Sequence, residues 1–200
     1  MLDVQTTVVH FSGWQMLLAA SLFLLAVLVP VWAVRRIANA IPPVYAPQGM
    51  PSGVGGLLLL TVGILIVEAV NALWHFGRAA GEAARVIAMD SDFVWPAVQT
   101  VIPDFAAAFF LVIAVGALVF GRSSFALGLA VFAAWLGGPM VAFLRTIYLG
   151  LPLEVAGEPT GLFFLTLVIT VYLLFSNRPA LTYGTRAGRQ LAAQRGSSRT

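Results

Sequence analysis

The sequence predicts an all-α polytopic membrane protein, a bundle of about five transmembrane helices, and three observations predict it. Sixty per cent of its 200 residues are apolar and only 10% are charged, whereas a soluble globule carries roughly 25% charged residues. Apolar runs of membrane-crossing length recur along the chain, separated by polar or Pro/Gly-rich stretches. The arginines that supply all of its basic charge concentrate on alternate connections, the distribution that orients multispan proteins. The chain has no cysteine, which excludes disulfides, iron–sulfur clusters and thiolate metal sites.

Residues 1–36 read as an amino-terminal anchor helix. Its apolar run, Trp14 to Val34, extends about 31 Å at 1.5 Å per residue, the thickness of a hydrocarbon core. Asp3 precedes the run and Arg35-Arg36 follow it. That order suits an anchor with its amino end outside and is the reverse of a cleaved signal peptide. Pro30 predicts a kink. Residues 37–56 hold Pro42, Pro43, Pro47, Pro51, Gly53, Gly55 and Gly56 and read as a cytoplasmic loop. No Gly-Lys-Ser/Thr follows the glycines, so they form no phosphate-binding loop.

Residues 57–178 form a four-helix membrane domain. Its first span is Leu57 to Phe76. Residues 77–103 are too polar to cross and predict an outer interfacial segment, with Ala79, Ala83, Val86 and Ile87 on one helical face. Phe93 and Trp95 are suited to an interface. The next span runs from Asp104 to Phe120, with Pro103 in its first turn. Another runs from Phe125 to Leu149, with a kink predicted at Gly137-Gly138-Pro139. A loop holding Glu154 and Glu158 precedes the last span, Gly161 to Phe175. Residues 179–200 are a basic cytoplasmic tail. With that tail inside, the inner connections hold Arg35, Arg36 and Arg122, and the outer ones only Arg78 and Arg85. The amino terminus is therefore expected outside and the carboxy terminus in the cytoplasm.

Four polar residues inside the spans are candidates for function. Glu68 lies about 16 Å along its helix, near the midplane. A centred acid costs on the order of 2.5–3.5 kcal/mol on insertion scales and must face protein or water. Asn71 and His75 continue its side of the helix, giving a polar stripe. The stripe reads either as an interhelical hydrogen-bond cluster or as an outward-opening proton or cation path. Arg145 has two readings, an ion pair with Glu68 or a side chain snorkelling to the outer headgroups. His10 and His75 are the only histidines; His10 precedes its helix, so a bis-histidine haem is not expected. No nucleophile–base set, cofactor site or metal site is read from the chain.

In the tail, Arg178, Arg186, Arg189, Arg195 and Arg199 stand without an intervening acid. Beside a membrane helix such a run seeks anionic headgroups. It lacks the aromatic interleaving that nucleic acid would need, and no nucleic-acid partner is expected.

Two stretches carry a resemblance. One is Gly53-Val54-Gly55-Gly56 leading straight into an apolar helix. The other is the series Tyr172, Ser176, Arg178, Thr182 and Tyr183. Together they resemble a bacterial family of small four-helix inner-membrane proteins, the domain of unknown function 2569, over residues 52–186. Asp104-Phe105 is similar to an acid–aromatic pair in that family. Leu57 stands where the family usually has tryptophan, and the Trp14–Val34 helix is an addition. The resemblance implies a multi-pass protein of the bacterial inner (cytoplasmic) membrane and implies no activity. The expected function is that of a non-enzymatic accessory or structural subunit of a larger membrane complex, through other subunits or self-association. A small transporter or channel using Glu68 and Asn71, and an envelope sensor using residues 77–103, are the alternatives.

Overall fold

Long uninterrupted runs of Leu, Val, Ala and Phe set the architecture, because a chain buried among apolar groups must satisfy its backbone internally and a helix does so within one segment. The computed structural model describes residues 32–148 and 157–197, with Trp14, Leu17, Ser21 and Val29 alone before them. Most of the predicted Trp14–Val34 span, His10, Glu154 and Arg199 lie outside the described residues. Among the described residues the chain is helical and has no strand.

Residues 32–39 are helical (α1). The helices that follow are α2 (Leu57–Met89), α3 (Val94–Phe120), α4 (Ser124–Trp135) and α5 (Val141–Tyr148), then α6 (Gly157–Phe175), α7 (Asn177–Thr182) and α8 (Arg186–Ser197). Three helical stretches are long and apolar enough to cross a membrane: Leu57–Met89, Val94–Phe120 and Ser124–Ile147. A shorter apolar stretch occupies Thr160–Phe175.

The helix α3 is central. It packs along α2 on one side and against α4 and α5 on the other, and α6 closes on α4 and the turn that follows it. Its inward face carries Asp104, Ala108, Leu111, Ala114 and Leu118, all buried, at the three- and four-residue spacing of one helical face. Opposite it, α4 presents Ala130, Ala133 and Ala134, also buried. Small side chains at these positions bring helix backbones close together.

Residues 77–103 differ from their sequence reading. There is no separate interfacial helix: α2 runs on through Met89, and α3 begins at Val94. At 33 residues, α2 extends about 50 Å, well beyond a 30 Å hydrocarbon core. The apolar face seen in the sequence is in part a packing face. Ala83 is buried, and so is Ala97 on α3, while Val86 is exposed. A helix–helix partner competes with the membrane surface for such a face, and here the hairpin has taken it. Pro103 consequently lies inside α3 rather than in its first turn.

The predicted kink at Gly137-Gly138-Pro139 takes a defined form. Leu136–Met140 is a turn of π-helix between α4 and α5, with all three of these residues buried. Pro139 has no N–H with which to continue the ordinary ladder, and a wider turn absorbs the defect. A Cβ on Gly137 would meet the Ala107 carbonyl and Leu111 at 3.0 Å, so the bend seats directly on α3.

Candidate functional site

Two groups of polar residues stand out, one at the end of the bundle where α2 begins (the proximal end) and one along the helices.

The proximal group ties together segments far apart in sequence. Val44 N–H donates to the Thr182 carbonyl at 3.2 Å and Tyr45 N–H to the Leu181 carbonyl at 3.0 Å. Gly53 N–H donates to Thr182 Oγ1 at 3.0 Å, and that hydroxyl donates to the Arg178 carbonyl at 2.7 Å. Residues 44–53 are thereby pinned onto α7. Gly184, at φ +65°, lies against Val44 so closely that a Cβ would meet Val44 Cγ1 at 2.8 Å.

The carboxy-terminal carbonyls of α3 are satisfied from outside their helix, as a buried helix end requires. Tyr183 is fully buried, and its hydroxyl donates to the Leu118 carbonyl at 2.7 Å. Arg122 donates through Nη1 to the carbonyls of Gly121 at 2.6 Å and Val119 at 3.0 Å. Its Nη2 donates to Ala38 at 3.1 Å and its Nε to Ile41 at 3.4 Å. One guanidinium thus closes the end of α3 and holds the end of α1, a favourable place for a cation opposite two rows of carbonyl dipoles. Burial pushes the Tyr183 phenol well above its ordinary value of 10, and the nearby Arg122 charge opposes that only in part. Burial likewise lowers Arg122 from its ordinary value of 12.5.

The two stretches that carry the family resemblance meet at this end. Arg178 lies across the paired glycines: a Cβ on Gly55 would sit 3.5 Å from Arg178 Nη1, and one on Gly56 would collide with it. Gly56, at φ +53°, adopts a backbone that L side chains rarely take. The sequence placed Arg178 at the end of the last apolar helix, with its side chain toward headgroups. In the fold that side chain instead lies at the start of α2, and its Nε is buried without a hydrogen-bond partner among the described residues. Arg186 and Arg189 are exposed on α8.

Along the helices, the residues singled out in the sequence do not converge. Glu68 is half-buried, and Asn71 and His75 are exposed on the outward side of α2. Arg145 is not the partner of Glu68. Its Nη1 lies 3.6 Å from Asp104 Oδ1, joining α5 to α3 next to Phe105, whose ring meets that of Phe76 in a tilted contact. Depth explains the choice. Measured from the proximal end, Arg145 lies about 31 Å along its hairpin arm and Glu68 about 16 Å, while Asp104 lies about 24 Å back from the end of α3. In α6, Tyr172 is half-buried and Ser176 terminates the helix. Deeper in the bundle, Trp135 Nε1 donates to Thr170 Oγ1 at 2.9 Å, which donates to the Thr166 carbonyl.

Comparison with known proteins decides nothing further. No family model matches the chain, and no curated protein or solved structure is significantly similar to it.

Sequence reasoning missed Asp104 as an ionic partner and Arg122 as a structural clamp. For Arg122 a signal was available: a lone arginine two residues past an apolar helix, in the short turn between Phe120 and Ser124, has several orphan carbonyls within reach.

Proposed function

We propose that this chain is a non-enzymatic subunit of a larger assembly in the bacterial inner membrane, working through a helix face embedded in the bilayer. The observation that carries the reading is the direction of the polar stripe: Asn71 and His75 are exposed and Glu68 is half-buried, on a side of α2 that no described residue satisfies. Polar groups within a span avoid lipid and seek another helix. A path for protons or solutes within one copy would want the stripe turned inward, where α2 instead presents Leu58, Val62, Leu65 and Ala69. Arg122, Tyr183, Thr182 and the Asp104–Arg145 pair, by contrast, are engaged in holding the bundle together.

In this reading the chain crosses the membrane five times, with Trp14–Val34 as the first span and α6 as the last. The proximal end faces the cytoplasm, where Arg35, Arg36, Arg122 and the basic tail fall, and the basic tail meets anionic headgroups. The α2–α3 hairpin then projects about 20 Å beyond the outer face. Membership of the inner-membrane family that the sequence resembles is part of the same proposal, motivated by the meeting of its two motif stretches at Arg178. The test is gentle extraction from native membranes followed by mass spectrometry of intact assemblies. A stoichiometric second protein is the expected result, and a chain that always emerges without one removes the reading.

A further inference from the structure

The outward side of α2 is more than a polar stripe. Leu57, Leu60, Ile64, Val67, Asn71, Trp74 and Arg78 follow one another at alternating intervals of three and four residues, the a/d repeat of helices that pack in register. Val67 is 57% exposed and Trp74 67%; Leu57 and Leu60 are similarly open, and Ile64 is half-buried. The face that packs on α3 (Leu58, Thr61, Val62, Leu65, Ala69, Ala72) points roughly 150° away at 100° per residue. Ile64 packs in part against the bundle's own core, while Leu57, Leu60, Val67, Asn71 and Trp74 lie on a side that no described residue covers.

We infer that this seam is a dimer interface, and that its occupant is α2 of a second copy, parallel and related by a two-fold axis along the membrane normal. The inference rests on the reading that the outward face of α2 is an interface, and it names what occupies it. Asn71 decides for a second copy. It is the one uncharged polar residue in the seam, and no described residue bonds its amide. A carboxamide is donor and acceptor together, so it is its own complement. Two chains inserted in the same orientation bring Asn71 against Asn71 at the axis, where each amide donates to the other. A lone asparagine at an a position is also the device that fixes register and two-strandedness in paired helices. An unrelated partner would have to supply a matching amide at the same depth, whereas a second copy brings one by symmetry. Glu68 and His75 flank the seam on one side and Gly77 on the other.

The absence of cysteine makes the test direct, since a single introduced thiol in purified, reconstituted protein can form a disulfide only with another copy. Val67→Cys and Trp74→Cys should yield disulfide-linked dimers, and Phe132→Cys, exposed on α4, should not. Adding Asn71→Leu to Val67→Cys should weaken dimerisation about three- to twenty-fold, the range of one interhelical hydrogen bond in a bilayer, with Asn71→Gln retaining part of it. Helical circular dichroism establishes folding of each variant. Should Asn71→Leu fail to fold, the contrast among the three thiol positions decides alone. Equal cross-linking at Phe132, no cross-link in the seam, or full cross-linking in the Asn71→Leu background would overturn the inference. So would a seam thiol that is protected from a lipid-soluble reagent without dimer, which would place the chain's own amino-terminal segment there. A dimer that brings no second protein from native membranes would leave this inference standing and remove the larger assembly. A second protein without dimer would do the reverse.

Discussion

Arg145 reaches from α5 to Asp104 on α3, Nη1 to Oδ1 at 3.6 Å, with the carboxylate side chain 11% exposed and the arginine 46%. The pair is asymmetric: the acid is sealed among helices and the base is half open. Removing the base strands a buried charge, whereas removing the acid frees an arginine that can reach outward.

That asymmetry gives the first prediction. Arg145→Ala should lower stability by about 1–3 kcal/mol, the cost of an unsatisfied buried polar group, and Asp104→Asn by less. The Asp104→Asn/Arg145→Ala double variant should lose less than the sum, while Glu68→Ala and Arg145→Ala should add simply. Denaturation in mixed micelles measures all of these. Additivity between Asp104 and Arg145 would show that the contact contributes nothing.

A second prediction concerns alkaline stability. The Tyr183 phenol titrates above its ordinary value of 10 in the folded protein, so the folded state holds its proton where the unfolded state has released it. The contribution is complete below pH 10 and declines as pH rises toward the folded value. Stability should therefore fall by about 1.4 kcal/mol per pH unit above pH 10 from this group. Tyr183→Phe, which removes the bond to Leu118, should cost about 1–2 kcal/mol at neutral pH and should flatten the alkaline decline. A variant that retains the full decline would assign it to another group.

Backbone conformation and contact can be separated at Gly56. Gly56→Ala should destabilise by about 1–3 kcal/mol from its backbone alone, with more from collision with Arg178. Pairing it with Arg178→Ala should recover the collision and leave the backbone cost. Thermal unfolding of the four proteins in one detergent resolves the two parts, and no recovery in the double variant would dismiss the contact.

Gly137 and Gly128 make a contrasting pair. Gly137→Ala meets Ala107 and Leu111 and should cost about 1–3 kcal/mol through overpacking. Gly128→Ala meets nothing within 4 Å and should be neutral or gain up to about 1 kcal/mol of helix propensity. Equal effects at both positions in the same unfolding assay would contradict the seating of the π-turn on α3.

Much of the fold was legible because hydropathy reports what a segment must avoid. The apolar cores of α2, α3 and α4–α5 each fell within the predicted spans, and the break at Gly137-Gly138-Pro139 followed from a proline without an N–H. What hydropathy does not report is which partner takes an amphipathic face. Residues 77–103 read as interfacial because they are too polar to cross and because Ala79, Ala83, Val86 and Ile87 suit a membrane surface as well as a neighbouring helix. The ion pair was misjudged for a related reason. Depth along a helix can be counted from the sequence, but a span starting at Asp104 puts that acid at a helix end, whereas α3 begins at Val94 and carries it within the bundle. Apart from Arg122, the proximal group was hidden more deeply, because most of its bonds run to backbone carbonyls, which have no signature in residue type.

The pinning of residues 44–53 onto α7 has a consequence for biogenesis. Gly53 and Thr182 are separated by 129 residues, and among the described residues no earlier segment supplies the same bonds. During synthesis at about 5–20 residues per second, the Pro/Gly-rich loop must wait several seconds, its backbone bonded to water, until α7 emerges. Non-local closure of this kind is slow, and it comes last. A chain halted before Ser176 would lack every one of these bonds and leave the loop open beside the helices already made.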